Sequence, residues 1–386
     1  LLPAVIADVF LLVYFKYYGT ILDQLSSFFS LSYEVMPMPS GISFFMFSLL
    51  SYLADVGRGK IEPERSLCRF LLYVSFFPKL LMGPIMRYAD FRIQLERPYA
   101  QRDQMNKGVC LFIAGLAQKV ILSAWMADLF ARMGQLPLSF VSGWGQAVAY
   151  SLQLYFDFAG YSLMAFGLAA MFGFYVPVNF RYPYLSDSIS AFWRRWHITL
   201  GAWFRDYVYI PLGGNRVGRA RQLLNILVVW MLTGFWHGAA WNFVVWGLMF
   251  AVLLIMEKLW LLKPLSKCRP LAHLYVVFFV VISFVIFNAE NMGQALSDIG
   301  GLFGAGGIPL VSAEAVYCLR SFALVLILAV LGATPLLRNG LVRLSQYPTA
   351  GKVLNALEPF TLFVLLLVMT GYLVDGSFNP FLYFRF

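Results

Sequence analysis

Long apolar runs recur along this chain, and short clusters of lysine and arginine separate several of them. Hydrocarbon offers no hydrogen-bond partners, so a segment that crosses it must pair its own backbone groups, as an α-helix does. Hydrophobic residues make up 60% of the chain and charged residues only 12%, about half the charged fraction of a soluble domain. We therefore predict an all-α polytopic membrane protein. Its apolar runs are 1–18, 42–56, 67–86, 108–130, 144–174, 222–256, 271–287, 316–336 and 359–374.

The net charge of +10 fits this membrane class better than it fits nucleic-acid binding. Basic residues in short loops between apolar segments set topology and face anionic lipid, so we expect membrane lipid as a partner and no nucleic acid. The four cysteines are far apart in sequence. No spacing among them indicates a metal site or a disulfide framework.

Two apolar runs have basic clusters at both ends, so both ends are expected on the cytoplasmic side. The run 67–86 also contains two prolines and a glycine in its second half, which predicts a segment that enters the membrane and returns. The run 222–256 has its midpoint at 234–242. About 15 residues per limb at 1.5 Å each give roughly 22 Å, less than the ~30 Å of hydrocarbon. We expect eight or nine crossings plus one or two re-entrant pieces.

His237 lies at the tip of that second run and is one of three histidines in the chain. A polar group at this depth is costly, so it serves either function or a specific hydrogen bond at the helix break beside Gly238. An imidazole can remove the proton of a hydroxyl near neutral pH, as acyl transfer to an alcohol requires. His197 lies in a Trp-Arg-His segment and is either a second site residue or part of an interfacial anchor.

The segment 187–212 carries an aromatic stripe at helical spacing, formed by Trp196, Leu200, Trp203 and Tyr207. This spacing predicts one helix that lies at the interface or packs inside the bundle near it.

Several polar side chains in these runs have two candidate roles each. Gln153 and Asp157 share a helical face and either line a hydrophilic path or pair with arginine from a neighbouring helix. Arg194, Arg195 and Arg205 either bind phosphates of a nucleotide donor or of lipid, or set topology. The chain contains no GxSxG, Walker, HExxH or GxGxxG motif, which favours direct transfer over an acyl-enzyme.

Taken in order, a set of short motifs resembles the membrane-bound O-acyltransferase family. The likeness is to its bacterial branch, which serves polysaccharide O-acetylation, as in alginate biosynthesis, and teichoic-acid D-alanylation. The motifs are Gly41-Ile42-Ser43-Phe44-Phe45, Gly83-Pro84-Ile85 followed by Arg87, Tyr155-Phe156-Asp157-Phe158-Ala159-Gly160-Tyr161-Ser162, Asn179-Phe180 before Pro183-Tyr184, Phe192-Trp193-Arg194-Arg195-Trp196-His197, Trp203-Phe204-Arg205-Asp206-Tyr207, Pro211-Leu212-Gly213-Gly214-Asn215-Arg216, Trp236-His237-Gly238 and Asn379-Pro380-Phe381.

The resemblance implies a single transmembrane domain over 1–386, built from about 8–11 helices with re-entrant segments and a central tunnel. Its core motifs lie in 153–247, and the family leads us to expect further helices before the first residue. His237 would be the catalytic residue and His197 the second essential position. The candidate substrate or tunnel residues are Asp157, Gln153, Trp196, Arg194, Arg195, Arg205, Asn215, Trp236 and Asn242.

The implied function is transfer of an acetyl or other acyl group from a cytoplasmic thioester, such as acetyl-CoA, with no tightly bound cofactor. The acceptor would be an extracytoplasmic polysaccharide or a partner acyltransferase of the SGNH type, and the location the bacterial cytoplasmic membrane. The motif at 211–216 favours acetylation. D-alanyl transfer to teichoic acid and a non-catalytic channel or flippase for acyl donors remain alternatives. Met46, Ser48 and Asn288 depart from the branch's usual residues, which puts substrate details in doubt.

Overall fold

The computed structural model describes residues 1–29, 38–96 and 101–375, and all regular secondary structure in these ranges is helical. This confirms the all-α class. The motif at 379–381 lies outside the described residues. The α-helices are α1 Leu2–Phe29, α2 Ile42–Gly57, α3 Leu67–Val74, α4 Phe77–Leu80, α5 Tyr88–Leu95, α6 Arg102–Ala117, α7 Ala124–Gln135, α8 Phe140–Met171, α9 Ile189–Trp193, α10 Ile198–Phe204, α11 Arg219–His237, α12 Trp241–Met256, α13 Leu262–Leu265, α14 Arg269–Asn288, α15 Met292–Leu302, α16 Ala313–Ser321, α17 Ala323–Gly332, α18 Leu336–Ser345 and α19 Pro348–Val374.

Six helical stretches in the described ranges are long and apolar enough to cross a membrane. The pair α16–α17, bent by 60°, adds a seventh if it counts as one span. Shorter helices such as the 16-residue α2 form other apolar runs. The chain is a multi-pass membrane protein. The six long stretches are Leu2–Leu22, Arg102–Gln135, Phe140–Met171, Trp241–Leu265, Arg269–Asn288 and Pro348–Val374.

The two runs predicted to enter and return differ in structure. The run 67–86 is broken into the eight residues of α3, the four of α4 and an irregular stretch, and neither helix is long enough to cross. The run 222–256 forms α11 and α12 with a tight turn at 238–240, as expected. Its limbs are longer than predicted, because α11 has 19 residues, about 28 Å, and the second limb continues to Leu265. Only the second limb is among the six stretches long and apolar enough to cross, so the re-entrant assignment stays a prediction.

The single helix predicted from the aromatic stripe in 187–212 is wrong. The chain breaks at His197, whose φ of 45° lies in the left-handed region, and α10 begins only after it. The helix then widens into π-helical turns over Arg205–Tyr209. Hydrogen bonds from outside the segment hold the break, and no spacing pattern within the segment reveals them.

Helices α6 and α8 approach until their backbones touch, and glycines make this possible. A Cβ on Gly115 would lie 2.6 Å from the carbonyl oxygen of Gly160, and a Cβ on Gly167 would lie 2.6 Å from that of Gly108. Small residues at such crossings replace side-chain spacing by direct backbone packing, as is usual between membrane helices. The contact fixes α8, which carries part of the aromatic core.

Replacing Gly115 by leucine should destabilise the protein by about 3 kcal/mol or more, because a side chain there meets backbone that cannot move aside. The measurement is the midpoint of thermal unfolding of purified protein in detergent. Gly371→Leu is the control, since a Cβ there meets no atom within 4 Å. Equal midpoints for the two variants would contradict the packing account.

Candidate functional site

His237 is the last residue of α11, and aromatic rings surround it. Its ring centroid lies 4.6 Å from that of Trp236 and 5.0 Å from those of Trp246 and Phe287. Only 6% of the residue is exposed. The neighbouring helix α12 can come this close because Gly247 leaves room, where a Cβ would lie 2.4 Å from the carbonyl oxygen of Trp230.

Asn242 fixes the turn that follows His237. Its side-chain nitrogen donates to the carbonyl oxygens of Ala289, at 2.8 Å, and Ile286, at 3.3 Å. These bonds join the start of α12 to the end of α14. Buried amides that satisfy helix ends in this way hold a loop in one position, so Asn242 positions the tip that carries His237.

A cavity of about 220 Å³, here called the tip cavity, borders His237. The Lys16 ammonium of α1 donates to the carbonyl oxygen of Trp236 and lies 4.9 Å from the centre of its indole ring. The cavity therefore combines one imidazole, one cation and small polar groups. Its lining includes Lys16, Ser40, Gly41, Ser43, Trp236 and His237.

His197 borders a different cavity of about 670 Å³, here called the basic-side cavity. Three exposed cationic side chains line it, those of Arg194, Arg205 and Lys258. Its other walls are mainly apolar, from α10, α11 and α12. This volume lies within the range of small-molecule sites, and its polar lining includes Glu257 as well as the three cations.

Trp236 contacts both imidazoles. Its ring centroid lies 4.6 Å from that of His237 and 6.4 Å from that of His197, and it stacks on Phe47 at 5.4 Å. Trp236 lines the tip cavity, and the two cavities share no lining residue. The structure thus brings the two histidines against one indole, and a continuous tunnel stays a prediction.

An ionic clasp lies at the rim of the basic-side cavity. Asp206 pairs with Arg205 at 2.7 Å and with Arg87, and its carbonyl oxygen accepts from Arg58 at 3.1 Å. Burial by itself would raise the pKa of Asp206, but hydrogen bonds from Arg205 and Arg87 outweigh it and lower the pKa below its ordinary value. The clasp therefore contributes stability above the ordinary carboxyl pKa and loses it as the pH falls through the lowered value.

The polar pair of α8 lines neither cavity. Asp157 forms a buried ion pair with Lys119, and the two side chains are 5% and 4% exposed. Lys119 lies in the π-helical turn Gln118–Ser123, a distortion of the kind that often re-aims side chains. Gln153 is also buried, and its carbonyl oxygen accepts from Ser123 at 3.1 Å. Pairing is therefore the correct reading for Asp157, with lysine in place of the expected arginine.

The other candidates outside the two cavities have structural contacts. Trp196 stacks on Phe192 at 5.6 Å inside the aromatic core. The backbone of Arg195 accepts a hydrogen bond at 2.9 Å. Asn215 is exposed and accepts from Tyr209 at 2.7 Å. With Asn242, these residues line neither the tip cavity nor the basic-side cavity, so their place on a substrate path stays a prediction.

Three residues that contact the two histidines' surroundings or Asp157 were not among the candidates from sequence: Lys16, Lys119 and Asn179. Lys16 and Lys119 each interrupt an apolar run, which is the same signal that singled out His237. Asn179 contacts His197 and was noted only as part of a motif. Its contact crosses 18 positions, so no local pattern reveals it.

Comparison with known proteins gives a consistent family. A family model described as MBOAT, membrane-bound O-acyltransferase family, matches residues 61–292. The chain is 38% identical to the probable alginate O-acetylase AlgI of Azotobacter vinelandii over 78% of this chain and 62% of that protein. It is 34% identical to a peptidoglycan O-acetyltransferase of Helicobacter pylori, over 80% and 66% of the two chains.

A more distant relative is the teichoic acid D-alanyltransferase of Bacillus subtilis, 29% identical over 65% of this chain and 68% of that one. The chain spans 62% and 65% of the length of the first two alginate O-acetylases that it matches. The matched region contains both histidines and the lining of the basic-side cavity, whereas much of the tip cavity's lining lies before it.

Removing one member of the buried pair, as in Asp157→Leu, should destabilise the protein by about 3–5 kcal/mol, because the buried Lys119 loses its carboxylate. The double variant Lys119→Met with Asp157→Leu should recover most of this loss. Thermal unfolding in detergent measures both. A double variant as unstable as Asp157→Leu would contradict this account, because the lost stability would then not come from breaking the ion pair.

Proposed function

This chain belongs to the membrane-bound O-acyltransferase family, and we propose that it transfers an acyl group, acetyl in particular, from a thioester to a hydroxyl. The hydroxyl belongs to an extracytoplasmic polysaccharide or to a partner acyltransferase of the SGNH type. The location is the bacterial cytoplasmic membrane. The observation that carries the proposal is the placement of one imidazole on each of two cavities, with Trp236 touching both.

His237 is the general base in this proposal. The acceptor hydroxyl reaches it through the tip cavity, and a ring nitrogen takes the hydroxyl proton as the oxygen attacks the thioester carbon. The carbon–sulfur bond then breaks, and the imidazolium returns the proton to the thiolate. Every proton is accounted for without a metal or an acyl-enzyme. His197 orients the acyl donor from the basic-side cavity.

The donor enters through the basic-side cavity. Acetyl-CoA fits its chemistry, because guanidinium and ammonium groups bind phosphates by charge-assisted hydrogen bonds. Arg194 and Lys258 supply such groups at the cavity's exposed end, while Arg205 is shared with Asp206. The apolar remainder of the cavity suits the uncharged arm that carries the acyl group.

Acetyl transfer is favoured over the two alternatives. The matches to O-acetylating proteins are stronger, at 34–38% identity, than the 29% to a teichoic acid D-alanyltransferase. A channel or flippase for acyl donors needs a path past Trp236, whereas the two cavities have no lining residue in common. Acyl transfer needs an opening beside Trp236 for the acetyl group alone, because the acceptor oxygen must contact the thioester carbon, whereas a flippase needs an opening for the whole donor.

His237→Gln should lower acyl transfer by at least about 100-fold while expression and thermal stability stay unchanged, because general base catalysis contributes about 10²–10⁴-fold. His273→Gln is the matched control, since His273 contacts a backbone oxygen at 3.3 Å and lines neither cavity. Polysaccharide acylation in cells and acetyl release in purified vesicles measure the effect. Near-normal product in the His237 variant would refute the assignment. Normal passage of donor acyl groups would then favour the channel.

Arg194→Gln combined with Lys258→Gln should raise KM for acetyl-CoA by about tenfold or more, because each lost charge-assisted bond removes about 1.5 kcal/mol or more. KM for S-acetylpantetheine, which lacks the nucleotide phosphates, should not change. Lys267→Gln is the control, an exposed lysine near the same face but outside the cavity. Equal effects on both substrates would place the phosphates elsewhere.

A further inference from the structure

The Asn179 side chain forms four hydrogen bonds around His197. Its side-chain oxygen accepts from Nδ1 of His197 at 3.2 Å, from the backbone N–H of Thr199 at 3.2 Å and from the Thr199 hydroxyl at 2.9 Å. Its side-chain nitrogen donates to the hydroxyl of Ser162 at 3.2 Å. Asn179 and His197 are 2% and 3% exposed.

These hydrogen bonds allow only one placement of the proton on the neutral His197 ring. A backbone N–H can only donate, so the Asn179 atom that faces Thr199 is the carbonyl oxygen. An oxygen of this kind only accepts, so Nδ1 of His197 must carry a proton. In the neutral ring the other nitrogen, Nε2, is then an acceptor. Nε2 is buried and has no hydrogen-bond partner within 1–29, 38–96 and 101–375.

The backbone makes this arrangement rigid. The carbonyl oxygen of Asn179 accepts from the N–H of Ile198 at 3.0 Å, next to the left-handed residue His197. A non-glycine residue keeps this strained conformation only where its surroundings over-determine it. The Thr199 hydroxyl in turn accepts from the N–H of Ile85 at 3.1 Å, three residues after Met82 of the tip cavity. One network therefore reaches from His197 to the segment beside the other cavity.

We propose that Asn179 is a positioning residue that holds His197 in the Nδ1–H tautomer, so that Nε2 accepts a hydrogen bond from an N–H or O–H group of the substrates. The indole N–H of Trp236 also lacks a partner in the described part of the chain. A buried acceptor and a buried donor thus lie on two neighbouring rings, where the acyl group is proposed to be transferred. The substrate part of this assignment rests on the proposed function, whereas the tautomer does not.

The tautomer is directly measurable because the chain has only three histidines. Protein labelled with ¹⁵N-histidine and reconstituted in lipid nanodiscs gives separate signals for protonated and unprotonated ring nitrogens. The His197 signals are identified by their loss in His197→Gln. We expect Nδ1 protonated and Nε2 unprotonated. In Asn179→Leu that pattern should be lost, whereas Asn339→Leu, an exposed control on α18, should keep it.

Asn179→Asp keeps an accepting oxygen, so it should retain the Nδ1–H signal. Its carboxylate favours the imidazolium, so His197 should titrate at a higher pH than in the wild type. If Asn179→Leu does not fold, this variant decides the question. A wild-type protein with Nε2 protonated, an unchanged pattern in Asn179→Leu, or an unshifted titration in Asn179→Asp would each overturn the assignment.

The activity arm uses thiol release from acetyl-CoA in the same nanodiscs, with a hydroxyl-rich polysaccharide such as unacetylated alginate supplied as the acceptor. Asn179→Leu should lose about tenfold, because His197 no longer holds one accepting nitrogen toward the substrate and about one hydrogen bond is lost. In Asn179→Asp the acid limb of the pH profile should move to higher pH, because the reaction needs neutral His197. A purely structural role would lower the rate without moving the limb. If the wild type shows the expected tautomer but releases no thiol, the role of Asn179 in setting the tautomer stands and acyl transfer is refuted.

Discussion

The rest of the structure depends on the close packing of α6 against α8. Glycines at positions such as Gly115 and Gly160 let the two backbones touch, with carbonyl oxygens 2.6–2.7 Å from where a Cβ would stand. In lipid the hydrophobic effect does not drive helices together, so close packing and internal polar pairs must do so. The ion pair of Lys119 and Asp157 lies directly beside this crossing, where its desolvation cost is offset by mutual attraction. Helix α8 then presents Phe158, at 4.7 Å, to the ring of His197.

The two histidines are held by different means, and this difference matches their proposed roles. His197 sits in a strained backbone conformation with its tautomer set by Asn179. His237 ends a helix among aromatic rings, and Asn242 fixes the turn after it. A fixed tautomer lets His197 present one accepting nitrogen to the substrate. Trp236 contacts both imidazole rings, so the transferred acyl group must pass beside it.

The sequence predicted the all-α class and the break between two limbs at 234–242, because apolar length is a local signal, while the catalytic role of His237 stays a prediction. Prediction from sequence failed where distant contacts decide. The helices on either side of the tip are longer than the positions of the basic clusters predicted, because lysines and arginines can remain helical at the interface. The stripe in 187–212 is not one helix, because Asn179 holds His197 outside helical geometry. Asp157 shares a face with Gln153 as predicted, but its partner Lys119 came from a helix that spacing could not identify.

The most direct measurement is an experimental structure of this protein in lipid with acetyldethia-CoA, a ketone analogue of acetyl-CoA in which a methylene group replaces the thioester sulfur. Transfer beside Trp236 predicts that the diphosphate lies against Arg194 and Lys258 and that the ketone lies at the indole, near His197 and His237. An analogue whose ketone lies away from Trp236, or whose phosphates lie outside the basic-side cavity, would contradict it.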